Sequence, residues 1–123
     1  MELNDISHAI IGAACKVHSK LDPGLLEHTY HVCLNHELRI DGLQVRSEVE
    51  LPVIYDGVLI QLGYRLDLLV EDKVIVELKA VERVAPIHRV QLHTYLKLSG
   101  KPLGLLIKFN VPSLRDGIIR IAN

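Results

Sequence analysis

Leu3, Ile6, Ile10, Ala13, Val17 and Leu21 recur at steps of three or four, which is the spacing of one apolar stripe along a helix. Asn4 or Asp5 stands where an N-cap is expected, and Asp22-Pro23-Gly24 breaks the segment. A second helix is predicted from about Leu25 to Ile40, with Leu26, Tyr30, Cys33, Leu34 and Leu38 turned inward and Asp41-Gly42 as its stop. The period then drops to two. Val45, Ser47, Val49, Leu51, Val53 and Tyr55 alternate with Arg46, Glu48 and Glu50, which predicts a strand with one wet face. Asp56-Gly57 is a hairpin signal, followed by a strand from Val58 to Val70, a turn at Glu71-Asp72-Lys73 and a strand from Val74 to Ala80.

Pro86 opens a further helix to about Ser99, at the position where its missing N–H costs nothing. Leu103 to Phe109 is almost wholly apolar, as expected for a buried strand reached by a helical crossover. The tail from Ser113 to Asn123 contains an apolar run from Gly117 to Ala122 that fits either helix or strand. The predicted order is α-α-β-β-β-α-β, a mixed β-sheet flanked by helices.

Composition narrows the class. A chain of 123 residues with no linker or repeat predicts one domain over 1–123. With 49% hydrophobic residues it is too apolar for a disordered segment. No apolar run approaches the ~18 residues of a membrane span, and the acidic, polar start Met1-Glu2-Leu3-Asn4-Asp5 is unlike a signal peptide. Cys15 and Cys33 lie in helix-like segments and read as reduced thiols of a cytoplasmic protein. Fourteen basic residues against fifteen acidic ones argue against nonspecific coating of a phosphate backbone, yet leave room for a local basic groove.

Candidate chemistry concentrates in one hairpin. Because strand residues alternate between faces, Leu66, Leu68, Val70, Val74, Val76, Leu78 and Ala80 are expected on one apolar face, and Arg65, Asp67, Glu77 and Lys79 on the other. A three-residue loop at 71–73 sets Asp67 across from Glu77 and Arg65 across from Lys79, at Cβ separations of about 4.5–5.5 Å. Two carboxylates this close repel unless one is protonated or a cation lies between them. Mg²⁺ suits such an oxygen-rich gap, and Lys79 is placed to steady a water nucleophile. Leu69 and Ile75 share the charged face, so something is expected to cover it. His28 and His31 are one turn apart in the second helix; with no further ligand at zinc spacing they are expected to be exposed helix residues.

Asp67 followed, with nine residues between, by Glu77-Leu78-Lys79 resembles the D…(D/E)xK signature of the PD-(D/E)xK nuclease superfamily, although Leu66 stands where the name has proline. Gln91 to Tyr95 resembles the QxxxY motif of its exonuclease-like branch, and Gly24 to Tyr30 reads GxxExxY. Together with Lys16-Val17-His18 and Phe109-Asn110-Val111-Pro112, these residues are similar to the GxxExxY protein family over nearly the whole chain. The resemblance implies a restriction-endonuclease-like core that hydrolyses phosphodiester bonds with Mg²⁺, or Mn²⁺ as substitute, on DNA ahead of RNA. It implies that Asp67, Glu77 and the Leu78 carbonyl hold the metal, with Glu27 joining directly or through water. Lys79 would then position the attacking water, and Gln91 and Tyr95 would orient the site or touch the backbone.

Two competing classes share this pattern. One is a catalytically silent module that keeps the fold and binds nucleic acid or a protein partner. The other is a metal-dependent hydrolase of small nucleotides. Low positive charge and only four Tyr and one Phe leave little for independent capture of a polymer; a homodimer or a partner protein could supply the missing surface.

Overall fold

The computed structural model describes residues 1–81 and 83–123. The elements are α1 (Leu3–Leu21), α2 (Glu27–Ile40), β1 (Val45–Glu50), β2 (Val53–Tyr55), β3 (Val58–Ile60), β4 (Arg65–Val70), β5 (Val74–Lys79), α3 (Pro86–Ser99), β6 (Leu103–Lys108), a 3-10 turn (Leu114–Gly117) and β7 (Ile118–Ala122). Five strands form one sheet in the order β1-β4-β5-β6-β7, and β2 and β3 form a separate hairpin. Among the described residues, only β5 and β6 run parallel within the sheet, with α3 as the crossover between them; the other neighbours are antiparallel. This is the mixed α/β architecture expected from the alternation of periods.

Several boundaries differ from the sequence expectation, each for a local reason. The N-cap of α1 is Glu2, whose backbone N–H donates to the Asp5 carboxylate at 3.3 Å; Asp5 therefore acts from the third helical position. α2 begins at Glu27, and Leu26 is its exposed N-cap residue rather than an inward one. The Leu25 N–H is already taken by the Tyr30 hydroxyl at 3.0 Å, which holds this stretch out of the helix. The strand predicted from Val45 to Tyr55 breaks at Leu51-Pro52, where proline has no N–H to give a ladder. The strand predicted from Val58 to Val70 breaks at 61–64, where Gly63 takes φ +78°. The apolar tail is a strand: β7 pairs with β6 and covers what would otherwise be a free sheet edge.

Helices cover both sheet faces. Ile6, Ile10, Val17, Leu34 and Leu38 of α1 and α2 pack on Leu68, Val70, Val74, Val76, Leu105 and Ile107. Leu92, Tyr95 and Leu96 of α3 pack on Leu69, Ile75 and Leu106 from the other side. The two stretches Lys16-Val17-His18 and Phe109 to Pro112 meet here, since His18 Nε2 donates to the Val111 carbonyl at 2.7 Å. The Tyr30 ring stacks on Phe109 at 4.4 Å, and its hydroxyl donates to the Asp22 carbonyl at 2.7 Å.

Gly104 sets how closely α3 can approach. A Cβ at this position would lie 2.9 Å from Leu92 Cδ1 and 3.0 Å from Leu92 Cγ, and Leu92 is buried. Gly104→Ala is expected to destabilise the protein by about 1–3 kcal/mol through overpacking. Thermal melting measures this; an unchanged melting temperature would mean that α3 rides further from the sheet.

Candidate active site

The site begins with a break in the alternation of β1 and β4. Ser47 pairs with Leu68 and Val49 with Leu66, but Glu48, between them, sits at φ +54°, a left-handed conformation that a non-glycine residue seldom adopts in a strand. Beyond this point the faces exchange. Leu66 packs with Leu69 and Ile75 under α3, and Val49 joins them, whereas strict alternation would have put Leu66 with Leu68. The expected single apolar face of the hairpin is corrected accordingly: Leu68, Val70, Val74, Val76 and Leu78 share it, and Leu66 does not.

The β4–β5 ladder stops at the Leu68–Val76 pair. Past it, side chains take the place of backbone partners. The Leu78 N–H donates to Asp67 Oδ2 at 2.8 Å, and the Asp67 N–H donates to Glu77 Oε1 at 3.3 Å. Asp67 and Glu77 thus face each other with their carboxyl groups lodged between the strands. Arg65 instead continues along β1 opposite Glu50 and is exposed, so the expected cross-strand placement of Arg65 against Lys79 is not a ladder pair.

Burial pushes the Glu77 carboxyl up to about 9, and the charge and side-chain hydrogen bonding of Asp67 add to the shift, while the Asp67 N–H and Lys79 oppose it. The pair therefore lacks one positive charge. A proton supplies it in the free protein; a hard cation can supply it instead. The Lys79 carbonyl accepts the Phe109 N–H at 2.9 Å on the β6 side. Since successive residues along a strand turn their polar groups to opposite sides, the Leu78 carbonyl faces the β4 side, where its own N–H already meets Asp67. Two carboxylates and one carbonyl oxygen form an all-oxygen donor set of the kind that suits Mg²⁺ or Mn²⁺. Among the described residues no three His, Cys, Asp or Glu side chains converge as a complete ligand set, so most of the coordination would fall to water and substrate.

Glu27, the first residue of α2, lies against the end of β5. Its carboxyl is held above the usual carboxylate range, first by partial burial and then by Asp67, while Lys79 and the Ala80 N–H act in the opposite direction. Tyr95 reaches the site from α3. Its hydroxyl is raised by burial first, then by Glu77 and Tyr64, and the Gln91 side chain hydrogen-bonds it. The structure thus brings Glu27, Asp67, Glu77, Lys79, Gln91 and Tyr95 into one neighbourhood.

Three neighbours, Tyr64, His31 and Glu48, were given no role at this site by sequence reasoning. Tyr64 lies with its ring 6.4 Å from that of Tyr95. His31, expected to be exposed, is buried, with Nδ1 3.8 Å from the Glu48 carboxylate. The positive φ of Glu48 has no signal in the chain, whereas Tyr64 could have been found by its place directly before the Arg65-Leu66-Asp67 stretch. His88 is occupied locally: its Nδ1 accepts the Ala85 N–H at 3.2 Å and caps α3.

The family model of the PD-(D/E)XK nuclease superfamily matches residues 4–121, and the chain belongs to that superfamily. Its nucleases are in general dependent on a divalent metal. No curated protein and no solved structure matches the chain. Among the described residues, no helix is long and apolar enough to cross a membrane.

Proposed function

We infer that this protein is a Mg²⁺-dependent nuclease of the GxxExxY group, with Mn²⁺ as a substitute metal, acting on DNA ahead of RNA. Residues 1–123 would act as one domain in the cytoplasm, in keeping with two unpaired cysteines. The observation that carries it is the carboxyl pair of Asp67 and Glu77 lodged between two strands and short of one positive charge.

Asp67, Glu77 and the Leu78 carbonyl would hold the metal, with Glu27 reaching it through a water molecule. The bound ion supplies Lewis acidity toward a phosphoryl oxygen and lowers the pKa of a coordinated water. Lys79 stands one alternation beyond Glu77 on the same face of β5. Its ammonium group would hold the attacking water against the phosphorus and offset the negative charge that gathers on the phosphate oxygens. The Tyr95 hydroxyl, oriented by Gln91, donates to a phosphate oxygen or to Glu77 and fixes the substrate against the α3 side. Backbone contacts of this kind position a strand without reading its sequence.

Calorimetric titration of Mn²⁺ into wild type and Asp67→Asn, each checked for folding, tests the reading. Binding at one or two sites in the wild type and none in the mutant is expected. A well-folded wild type that takes up no metal would favour the silent binding module.

A further inference from the structure

Beyond the carboxyl pair, cations gather on the face of the sheet that α3 covers. β5 and β6 run parallel and end together, with Lys79 in register with Lys108. Leu106, two residues before Lys108, packs under α3, and alternation puts Lys108 on the same face. Adjacent strands lie about 4.8 Å apart, so two ammonium side chains start abreast there. Lys108 also walls a recess of about 310 Å³ with Arg83, Val84, Arg89, Asp116 and Ile119. Arg83 and Arg89 are exposed, and Lys108 is half-buried. Asp116 is the acid of this lining; Glu82, the one acid of the 79–89 stretch, lies outside the described residues. Ion pairs among the described residues engage Lys16, Lys20, His31, Arg46 and Lys101, and none of these four cations.

The backbone carries charge of the same sign. α3 has no acidic residue in its first turn, and Arg89 stands near its N-terminus, the positive end of the helix dipole. A cation in that place is unfavourable for the helix, and like charges on neighbouring strands repel. An anion held among them relieves both. The opposite wall is set by close packing: a Cβ on buried Gly117 would run into the Lys108 carbonyl.

We propose that this recess holds a backbone phosphate of the nucleic-acid strand, beyond the phosphate attacked at Asp67 and Glu77, with the strand crossing the ends of β5 and β6. The choice of ligand rests on the nuclease reading, but the recess shares no lining residue with the metal site. Arginine forks take phosphate oxygens in pairs, and such contacts hold a strand without reading its bases.

Fluorescence anisotropy with a short labelled single-stranded DNA, in EDTA and between about 50 and 200 mM salt, tests this. The proteins are wild type, Arg83→Ala, Arg89→Ala, the double variant and Lys73→Ala. Lys73 is an exposed cation in the turn at the other end of β5. All substituted side chains are exposed, so the variants should fold, which circular dichroism checks. Each arginine removed should flatten the slope of log affinity against log salt by about 0.7. The double variant should bind about tenfold more weakly at low salt, and Lys73→Ala should match wild type. During cleavage in Mn²⁺ the double variant's loss should fall mainly on KM. A wild type that binds no strand, a double variant of unaltered affinity, or an equal loss in Lys73→Ala would each overturn the proposal; wild-type cleavage beside any of these results leaves the nuclease reading standing. Strand binding that needs Arg83 and Arg89, with no cleavage in Mn²⁺, supports the recess and removes that reading.

Discussion

Lys79→Ala is expected to lower metal-dependent cleavage of DNA by about 10²–10³-fold, the cost of removing one preorganised group that meets charge developing in a transition state. Mn²⁺ affinity should stay close to wild type, because Lys79 opposes the raised pKa of Glu77 from the side and donates no lone pair to a cation. Asp67→Asn and Glu77→Gln should lose metal binding and cleavage together. The contrast between these variants separates ligands from the group that works on water. Single-turnover cleavage in Mn²⁺ alongside calorimetry is the measurement. Full activity in Lys79→Ala would remove it from the chemistry, and metal loss in Lys79→Ala would make it a structural support of the ligands.

The metal-free protein should lose stability as pH rises between about 4.5 and 9. In that window the folded state keeps a proton on Glu77 that the unfolded chain has released, so unfolding releases a proton and high pH favours it. The steepest possible slope for one proton is about 1.4 kcal/mol per pH unit. Glu27 shifts in the same direction. Glu37, held low by Lys16, and Asp72, held low by Lys101, act only as pH falls through the carboxylate range, and leave this window untouched. Glu77→Gln should flatten the slope and raise the melting temperature at pH 8, since the amide oxygen still accepts the Asp67 N–H without bringing a charge. Mg²⁺ or Mn²⁺ should raise the wild-type melting temperature more at pH 8.5 than at pH 5.5, because a ligand carboxyl must first be deprotonated. A melting temperature independent of pH in the metal-free wild type would mean that solvent reaches Glu77 freely.

Much of this was legible along the chain because it is local. Period-two alternation and the turn at 71–73 were enough to put Asp67 opposite Glu77, and Val70–Val74 pairing sets that register. The two helices that cover one face followed from residues spaced three and four apart. The exchange of faces at Glu48 was not legible, since a left-handed glutamate has the same letter as any other. Without it, Leu66 was assigned to the wrong side of the sheet. The interruptions at Pro52 and Gly63 were signalled by their residues, but alternation on either side favoured continuous strands. His31 was misjudged because its burial arises from the approach of β1, a contact between distant segments. Tyr64 and Tyr95 meet for the same kind of reason, through packing of the hairpin base on α3.

Asp67, Glu77 and Lys79 all lie on one hairpin whose turn is three residues long. Closing so short a loop demands little chain entropy, and contacts between near neighbours in sequence form early. The carboxyl pair is therefore expected to assemble with the β4–β5 hairpin, ahead of the α3 crossover that brings β6 alongside. The order has a kinetic meaning. While the hairpin is open to water its two carboxylates are weakly coupled, and the penalty arrives as α3 docks, so docking is the step at which a proton, or the proposed metal ion, would be captured. Cation concentration should thus act on the last stage of folding, by holding the cover down, rather than on the first.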